Sequence, residues 1–181
     1  MTDLREAQPD DRASIVHIHE LAFGDPTITQ LVNDMLGDAS TEPMLSLLAS
    51  AGGEDAGHVF FSHVRIESAD QADSVGASIL APLAVVPDKQ GQGIGGSLIR
   101  RGLELLANRG VRLVFVLGYP AYYGRFGFKP AGVQGFQATY PIPEANAEAW
   151  MMLDLDPDGG ELAGGRVVCA DSLNKEEYWV E

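Results

Sequence analysis

The amino-acid sequence predicts a mixed α/β (α+β) fold, and three observations support this prediction. Runs with strand character alternate along the chain with stretches of helical amphipathicity. The chain has 181 residues, 45% of them hydrophobic, which is enough for one domain with a substantial core. Because no internal repeat, low-complexity segment or linker interrupts the sequence, we expect a single domain over residues 1–181.

The N-terminal part of the chain is predicted to form a strand followed by two helices. The strand spans residues 2–7. Asp10 or Asp11 can cap a first helix that ends near Phe23, because a Gly-Asp-Pro stop follows that residue. A second, shorter helix is expected over residues 27–36.

Three further strands are predicted over residues 44–50, 58–67 and 75–86. The turn-rich residues 52–55 join the first two of them as a hairpin, and a polar turn over residues 69–74 precedes the third. Pro82 lies inside the third strand. Because proline cannot donate a hydrogen bond to a neighbouring strand, Pro82 indicates either a sheet edge or a bulge.

A glycine-rich loop follows this strand and is the most informative feature of the sequence. Its glycines are Gly91, Gly93, Gly95 and Gly96. They remove side chains that would keep a phosphate away from the backbone. The helix that begins at Ile94 presents unpaired N–H groups and the positive end of its dipole to the same place. The loop therefore predicts a site for a phosphorylated cofactor.

The helix after the loop is predicted over residues 94–109, because its apolar residues fall within about half of the helical circumference. Gly110 ends it, and residues 111–117 have the character of a short, buried strand. The local unit is therefore strand, loop, helix, strand.

Three known loop types compete for this unit. Gly91, Gly93 and Gly96 satisfy the dinucleotide pattern G-x-G-x-x-G, but residues 111–118 lack the acidic residue that would hold a ribose. A nucleoside-triphosphate loop is excluded, since no Gly-Lys-Ser/Thr follows. A glycine-rich turn that merely starts a helix remains the simplest alternative.

Gln90, Gly93 and Gly95 form the pattern Gln-x-x-Gly-x-Gly, and here the chain resembles the GNAT superfamily of acyl-CoA-dependent N-acetyltransferases, in its bacterial branch. A second signature lies downstream, where Tyr123 stands five residues before Phe128 of a Gly-Phe pair. The strand before the loop resembles the one that lies along the pantetheine arm. Together these features cover about residues 78–130, the expected cofactor-binding core; residues 131–181 would form a variable C-terminal part.

The resemblance implies a GNAT-like central sheet that is mixed, mostly antiparallel, twisted and flanked by helices. This sheet would splay apart between two parallel central strands. It also implies acetyl-CoA as the co-substrate, with no metal. The residues that would hold the cofactor are Leu83, Val85, Gln90, Gly91, Gln92, Gly93, Ile94, Gly95, Gly96, Tyr123 and Arg125.

The resemblance also implies catalytic roles for two residues. Tyr123 would donate a proton to the leaving sulfur, and the backbone N–H of Val85 would be the oxyanion donor. Gln90 would either stabilise the loop or reach the cofactor. Tyr122 is assigned a packing role, because neighbouring helical side chains project about 100° apart and both tyrosines are not expected to face the cofactor.

The general base is not identified by the sequence, because residues 78–86 contain no carboxylate. Four side chains and a water relay are the alternatives; the side chains are Glu20, Asp25, His63 and Glu67. Each histidine, taken alone, is better explained by a structural role than by catalysis or metal binding.

Charge and cysteine content limit the partners and the compartment. The formal net charge of −14 argues against a nucleic-acid partner and weakly favours a cationic amine. Four of the 12 basic residues nevertheless lie in or near the cofactor segment: Lys89, Arg100, Arg101 and Arg125. Taken singly, Arg100 and Arg101 are also explained by a solvated helix face. A single cysteine, no apolar signal core and no membrane-spanning run predict a cytoplasmic protein.

The predicted function is transfer of an acetyl group from acetyl-CoA to a primary amine by direct attack in a ternary complex. The acceptor is a small molecule, a peptide or a protein, and a homodimer is compatible with the resemblance. Two alternatives are a catalytically silent acyl-CoA-binding sensor or interaction module and an acyltransferase that uses a carrier protein. In the C-terminal part, a loop over residues 131–148 is expected to shape the acceptor pocket, and residues 150–156 and 165–170 are expected to form closing strands.

Overall fold

The structure is a computed structural model that describes residues 2–68 and 75–180, and in these ranges it contains nine strands and four α-helices. The strands are β1 (Thr2–Glu6), β2 (Leu45–Ala51), β3 (Glu54–Glu67), β4 (Ala77–Val85), β5 (Leu113–Leu117), β6 (Lys129–Pro130), β7 (Phe136–Gln137), β8 (Trp150–Asp154) and β9 (Gly165–Val168). The helices are α1 (Arg12–Phe23), α2 (Pro26–Leu36), α3 (Ile94–Asn108) and α4 (Pro120–Tyr123). The predicted turn over residues 69–74 lies outside the described residues.

The sheet has the strand order β1-β2-β3-β4-β5-β8-β6, and β9 adds to the far end of β3. Along this order every neighbouring pair is antiparallel except β4 and β5, which are parallel. The small strand β7 also runs parallel to β9. The predicted mixed, mostly antiparallel sheet with flanking helices is thereby confirmed.

The predicted elements of the N-terminal half are present with shifts of one to four residues at their ends. Helix α1 begins directly after Asp11, and the hairpin of β2 and β3 turns through Gly52 and Gly53. The two predicted C-terminal strands are also present, but they do not pair with each other. Strand β8 lies against β5 and β6, whereas β9 lies against β3 and β7.

Pro82 marks a bulge and not a sheet edge. Strand β4 is central in the sheet, so the edge alternative is wrong. The register runs from Val59 opposite Leu83 to Phe61 opposite Leu80, which places one extra residue on β4 beside Pro82. A bulge of this kind bends a strand and interrupts its pairing locally.

The bulge coincides with the place where β4 leaves β5. Parallel pairing of these strands covers Ala77–Ile79, whereas antiparallel pairing with β3 continues to Val85. The second half of β4 therefore presents one backbone edge to the gap that opens between the two central strands.

Helix α3 packs on β3 at close range, and a glycine makes this possible. A Cβ atom added to Gly102 would overlap the ring of Phe61, which is fully buried. The apolar side chains of Leu98 and Ile99 are buried in the same core. The close packing fixes the N-terminus of α3, and thus the glycine loop, at the end of β4.

A chain of buried polar side chains links α1 to the first hairpin. His19 Nε2 lies 2.8 Å from His58 Nδ1, and His58 Nε2 lies 2.7 Å from Ser46 Oγ. Burial lowers the pKa of His19 to about 4, and burial together with the neighbouring His19 lowers the pKa of His58. Both rings are neutral at pH 7, which fits a structural role.

Neither a membrane-spanning helix nor a cluster of metal ligands occurs in the described residues. Over residues 2–68 and 75–180, no helix has both the length and the apolar character needed to cross a bilayer. The same ranges hold no group of three or more His, Cys, Asp and Glu side chains arranged for a metal ion.

The burial of the His19 ring predicts that the stability of the fold depends on pH. Because the pKa of His19 is about 4 in the folded chain and near 6.5 in the unfolded chain, its stabilising contribution is complete above pH 6.5 and is lost as the pH falls towards 4. We expect His19 alone to lower the free energy of unfolding by about 1 kcal/mol between pH 7 and pH 5.5.

Urea unfolding at these two pH values tests this prediction. The variant His19→Gln keeps a hydrogen-bonding partner for His58 and should show a weaker pH dependence than the parent. His17→Gln is the matched control, because the His17 side chain is 67% exposed on the same helix. An unaltered pH dependence in His19→Gln would contradict the prediction.

Candidate active site

The glycine loop and the N-terminus of α3 form one wall of a cavity of 470 Å³, which we call the cradle. Its other walls are the end of β4 and the segment that follows α4. The predicted cofactor residues that line it are Leu83, Val85, Gln90, Gly91, Gly93, Ile94, Gly95, Gly96 and Arg125. Most of the site residues proposed from the sequence therefore meet at one place.

Two predicted residues lie elsewhere. Gln92 does not line the cradle; its side-chain amide lies 3.4 Å from the carbonyl oxygen of Asp88. Tyr123 lines a neighbouring cavity instead.

The four loop glycines are required for two different reasons. Gly91 and Gly93 have φ values of +76° and +82°, a conformation that favours glycine, and a Cβ atom on either would meet open space. A Cβ atom on Gly95 would lie only 2.7 Å from the hydroxyl oxygen of Tyr122. On Gly96 it would lie 3.1 Å from the Arg100 guanidinium. The first two glycines shape the loop, and the other two admit neighbouring side chains.

Three cations line the cradle. They are Lys89, Arg100 and Arg125. Arg100 lies 5.0 Å from the ring centroid of Phe126, and Arg125 lies 4.8 Å from that of Tyr122, so both guanidinium groups are placed by aromatic rings. Arg101 is not part of this group, because it points away and pairs with Glu104 at 2.8 Å. A positively charged cavity thus exists in a chain of net charge −14.

Gln90 ties the loop to the end of β4. Its side-chain amide donates to the carbonyl oxygen of Val85 at 2.9 Å. Gln90 thus stabilises the loop, and it also lines the cradle, so both of the roles considered for it fit its position.

The same region orients the backbone of Val85. The N–H of Val86 donates to the Ala56 carbonyl on β3 at 2.8 Å. Since hydrogen-bonded and non-bonded pairs alternate in an antiparallel ladder, the N–H and C=O of Val85, opposite Gly57, point away from β3. The N–H of Val85 therefore faces the gap between β4 and β5.

A second cavity of 670 Å³, which we call the acceptor cavity, is lined by residues of both β4 and β5 and so includes part of this gap. Four segments line it, within residues 23–31, 79–83, 116–123 and 173–180. Leu83 and Tyr122 line both the cradle and the acceptor cavity, so the two spaces adjoin at these side chains.

Both adjacent tyrosines line the acceptor cavity, but only Tyr122, the one expected to have a packing role, also lines the cradle. The ring of Tyr123 packs over Gly118, where a Cβ atom would overlap it, and stands edge-on to Phe128 at 5.8 Å. Burial raises the pKa of Tyr122, against the opposing effect of Arg125 and Arg100.

Asp25 is the one candidate base from the sequence that lines the acceptor cavity. One of its carboxylate oxygens caps α2 by accepting a hydrogen bond from the Thr27 N–H at 2.9 Å. The other candidates lie away from both cavities: Glu20 is exposed near His17, Glu67 pairs with Arg65 at 2.8 Å, and His63 lines neither space.

The C-terminal segment supplies a wall of the acceptor cavity that sequence reasoning missed. Residues 173–180 contribute Glu177 and Tyr178, whereas residues 131–148, expected to shape the pocket, contribute no lining residue. Trp179 holds this segment in place, because its ring meets Trp150 at 5.7 Å and its indole N–H donates to the Leu173 carbonyl. A Tyr-Trp pair close to the end of the chain was the available signal.

Comparison with known proteins agrees with this geometry. Residues 3–131 match the family model described as an acetyltransferase (GNAT) domain. The uncharacterized N-acetyltransferase YjhQ of Escherichia coli is 44% identical over 162 residues, which cover 89% of this chain and 88% of YjhQ. The uncharacterized N-acetyltransferase YhbS of Escherichia coli is 32% identical over 152 residues, which cover 83% of this chain and 87% of YhbS.

Two solved structures have the same architecture. The crystal structure of YhbS in complex with CoA superposes with a TM-score of 0.82 at 29% identity, covering 96% of this chain and 92% of YhbS. A GNAT family acetyltransferase from Brucella melitensis in complex with acetyl-CoA gives a TM-score of 0.73 at 29% identity, covering 96% and 98%.

The contact between Gly95 and Tyr122 predicts a specific rescue. Gly95→Ala should displace the Tyr122 side chain and weaken acetyl-CoA binding by about tenfold, since a Cβ atom at 2.7 Å from the hydroxyl forces a shift. In the Tyr122→Phe background this oxygen is gone, and the next atoms that the Cβ would meet are at 3.8 Å and 3.9 Å. The same glycine substitution should then have little effect.

Calorimetric titration with acetyl-CoA of the parent, the two single variants and the double variant measures the coupling between Gly95 and Tyr122. Gly132→Ala is the control, because a Cβ atom there meets nothing within 4 Å. Equal losses from Gly95→Ala in the two backgrounds would show that the hydroxyl contact is not the reason for the glycine.

Proposed function

Because the chain belongs to the GNAT acetyltransferase family, we propose that it transfers an acetyl group from acetyl-CoA to a primary amine by direct attack in a ternary complex. The observation that carries this proposal is the gap beside Val85, where the cradle and the acceptor cavity adjoin at Leu83 and Tyr122. A donor in one space and an amine in the other would meet at this junction without a covalent enzyme intermediate.

The cradle fits the phosphate-bearing part of CoA. A Cβ atom on Gly91 or Gly93 would project into open space, so the backbone of the loop is accessible to a ligand. The N-terminus of the 15-residue helix α3 adds unpaired N–H groups and the positive end of its dipole. The lining cations Lys89, Arg100 and Arg125 complement an anionic ligand.

The edge of β4 beside the gap suits the pantetheine arm and the acetyl carbonyl. When bound, acetyl-CoA supplies a thioester whose acyl carbon is attacked by the amine and whose C–S bond breaks to release a thiolate. The N–H of Val85 would donate to the carbonyl oxygen as negative charge develops there. Gln90 holds the carbonyl of the same residue and so ties the end of β4 to the glycine loop beside this N–H.

Two proton transfers complete the reaction. The attacking amine loses a proton to Asp25 or to a water that this carboxylate orients, since Asp25 lines the acceptor cavity. Tyr123 donates a proton to the leaving sulfur. A phenol with a pKa near ~10 is a weaker acid than a thiol near ~8.5, so position and not acidity has to make this donor effective.

The proposal extends to the whole chain. Residues 1–181 would form one acetyltransferase domain, because the C-terminal segment closes the acceptor cavity against α2 and β4. We further propose that the enzyme is cytoplasmic and that its acceptor is not a nucleic acid, because the chain has a formal net charge of −14.

A silent CoA-binding module is the alternative that experiment has to exclude. It would keep the cradle but would not need an acceptor cavity that adjoins it. Acetyl-CoA binding without acetylation of any amine in a broad panel would support that alternative. Release of free CoA only in the presence of an amine would exclude it.

The substitution Tyr123→Phe tests the mechanism. We expect the turnover number to fall by about 100-fold, because a positioned general acid contributes this order of rate, while the affinity for acetyl-CoA changes less than about twofold. Thiol release with the best amine of the panel gives the rate, and calorimetry gives the affinity, with NAD as a negative control ligand.

Tyr122→Phe is the matched variant, since Tyr122 lies one residue away, lines both cavities and loses the same atom. A larger rate loss in Tyr122→Phe than in Tyr123→Phe would transfer the acid role to Tyr122. An unchanged rate in both would remove the tyrosines from the proton transfer.

A further inference from the structure

We infer that the acceptor is a small primary monoamine with an apolar, aromatic or alkyl body, and that Glu177 attracts its ammonium form into the cavity before the nitrogen loses a proton and attacks. The inference rests on the proposed function and adds a substrate class to it. Three properties of the acceptor cavity carry it: its aromatic lining, its charge and its size.

Six aromatic side chains line the acceptor cavity together with a larger number of aliphatic ones. The aromatic residues are Phe23, Tyr119, Tyr122, Tyr123, Tyr178 and Trp179. Two of them are unusually exposed for large apolar side chains, Phe23 at 45% and Tyr119 at 79%. Exposed aromatic rings around a concave space are typical of a surface that an apolar ligand covers.

The charged side chains of this cavity are acidic. Among the described lining residues, Asp25 and Glu177 are carboxylates, and none is lysine, arginine or histidine. An ammonium group is therefore complemented electrostatically, whereas a carboxylate or phosphate on the acceptor would lack a counter-charge and would be repelled. Aromatic faces also attract ammonium groups.

Glu177 is held at the cavity by Trp179, two residues further along the chain. Trp179 is 2% exposed and is fixed by Trp150 and by the Leu173 carbonyl, so the turn that carries Glu177 is anchored to the core. None of the ion pairs within the described parts of the chain involves Glu177. Its carboxylate remains available to a cationic ligand.

The volume of 670 Å³ suits a small molecule. Cavities for small ligands commonly measure about 300–1,000 Å³, and the acetyl end of the donor occupies part of this one. A polyhydroxylated amine would face mostly apolar surface, because the lining side chains that carry an oxygen are a minority: Thr27, four tyrosines and two carboxylates. The cavity thus favours an apolar amine over an amino sugar or an amino acid.

A pair of substrates that differ by one group tests the inference. With acetyl-CoA at saturation, 2-phenylethylamine should be acetylated with a kcat/KM about 100-fold higher than L-phenylalanine, which adds only a carboxylate. Glucosamine serves as the hydroxyl-rich comparison and should also be poor. Mass spectrometry of the products confirms acetylation at nitrogen.

Two neighbouring glutamates give a charge-matched pair of variants. Glu177→Gln should raise the KM for 2-phenylethylamine about tenfold with kcat changed less than about twofold, because binding and not chemistry is affected. Glu176→Gln removes the same charge from the same turn but not from the cavity, and should leave both constants unchanged.

Calorimetry of acetyl-CoA binding distinguishes a failure of the proposed function from a failure of the inferred substrate class. If acetyl-CoA does not bind, the proposed function fails and the substrate class fails with it. If acetyl-CoA binds but 2-phenylethylamine neither binds nor reacts, or L-phenylalanine reacts equally well, only the substrate class is overturned. Equal effects of Glu176→Gln and Glu177→Gln would overturn the role of Glu177.

Discussion

The divergence of β4 from β5 is the constraint on which the rest of the site depends. The two strands pair in parallel over Ala77–Ile79, the bulge beside Pro82 follows, and β4 then continues with β3 alone as far as Val85. In a fully paired sheet the N–H of Val85 would be used by the neighbouring strand. Because β5 has turned away, this N–H faces a gap that a thioester can enter.

The two spaces that meet at the gap have opposite electrostatic character. The cradle is lined by Lys89, Arg100 and Arg125, whereas the acceptor cavity carries the carboxylates of Asp25 and Glu177. Under the proposed function, an anionic donor and a cationic acceptor would each be directed to one side of the same junction. The net charge of −14 also favours a cationic amine, because it attracts positive charge at long range. The cradle is the positively charged region within this negative field.

Features with a local sequence signal could be predicted, and features made by distant contacts could not. Gly91 and Gly93 lie in positive-φ positions of a loop that the sequence marks directly, so the cradle was foreseen. The role of Gly95 depends on the Tyr122 hydroxyl, and the orientation of Arg100 depends on Phe126; both partners lie more than 20 residues away in the chain. Likewise, the C-terminal wall of the acceptor cavity depends on the packing of Trp179 against Trp150 and on the hydrogen bond from the Ser172 hydroxyl to Asp38. No local sequence pattern marks either contact.

The central claim is that the Val85 N–H binds the acetyl carbonyl in the gap, and backbone amide NMR of the 181-residue chain tests it most directly. With ¹⁵N-labelled protein, CoA should shift the amide signals of the glycine loop. Replacement of CoA by acetyl-CoA should then shift the Val85 amide further, with small effects on the loop, because only the acetyl group is new. A Val85 signal that is identical in the two complexes would contradict the account and would place the acetyl group elsewhere.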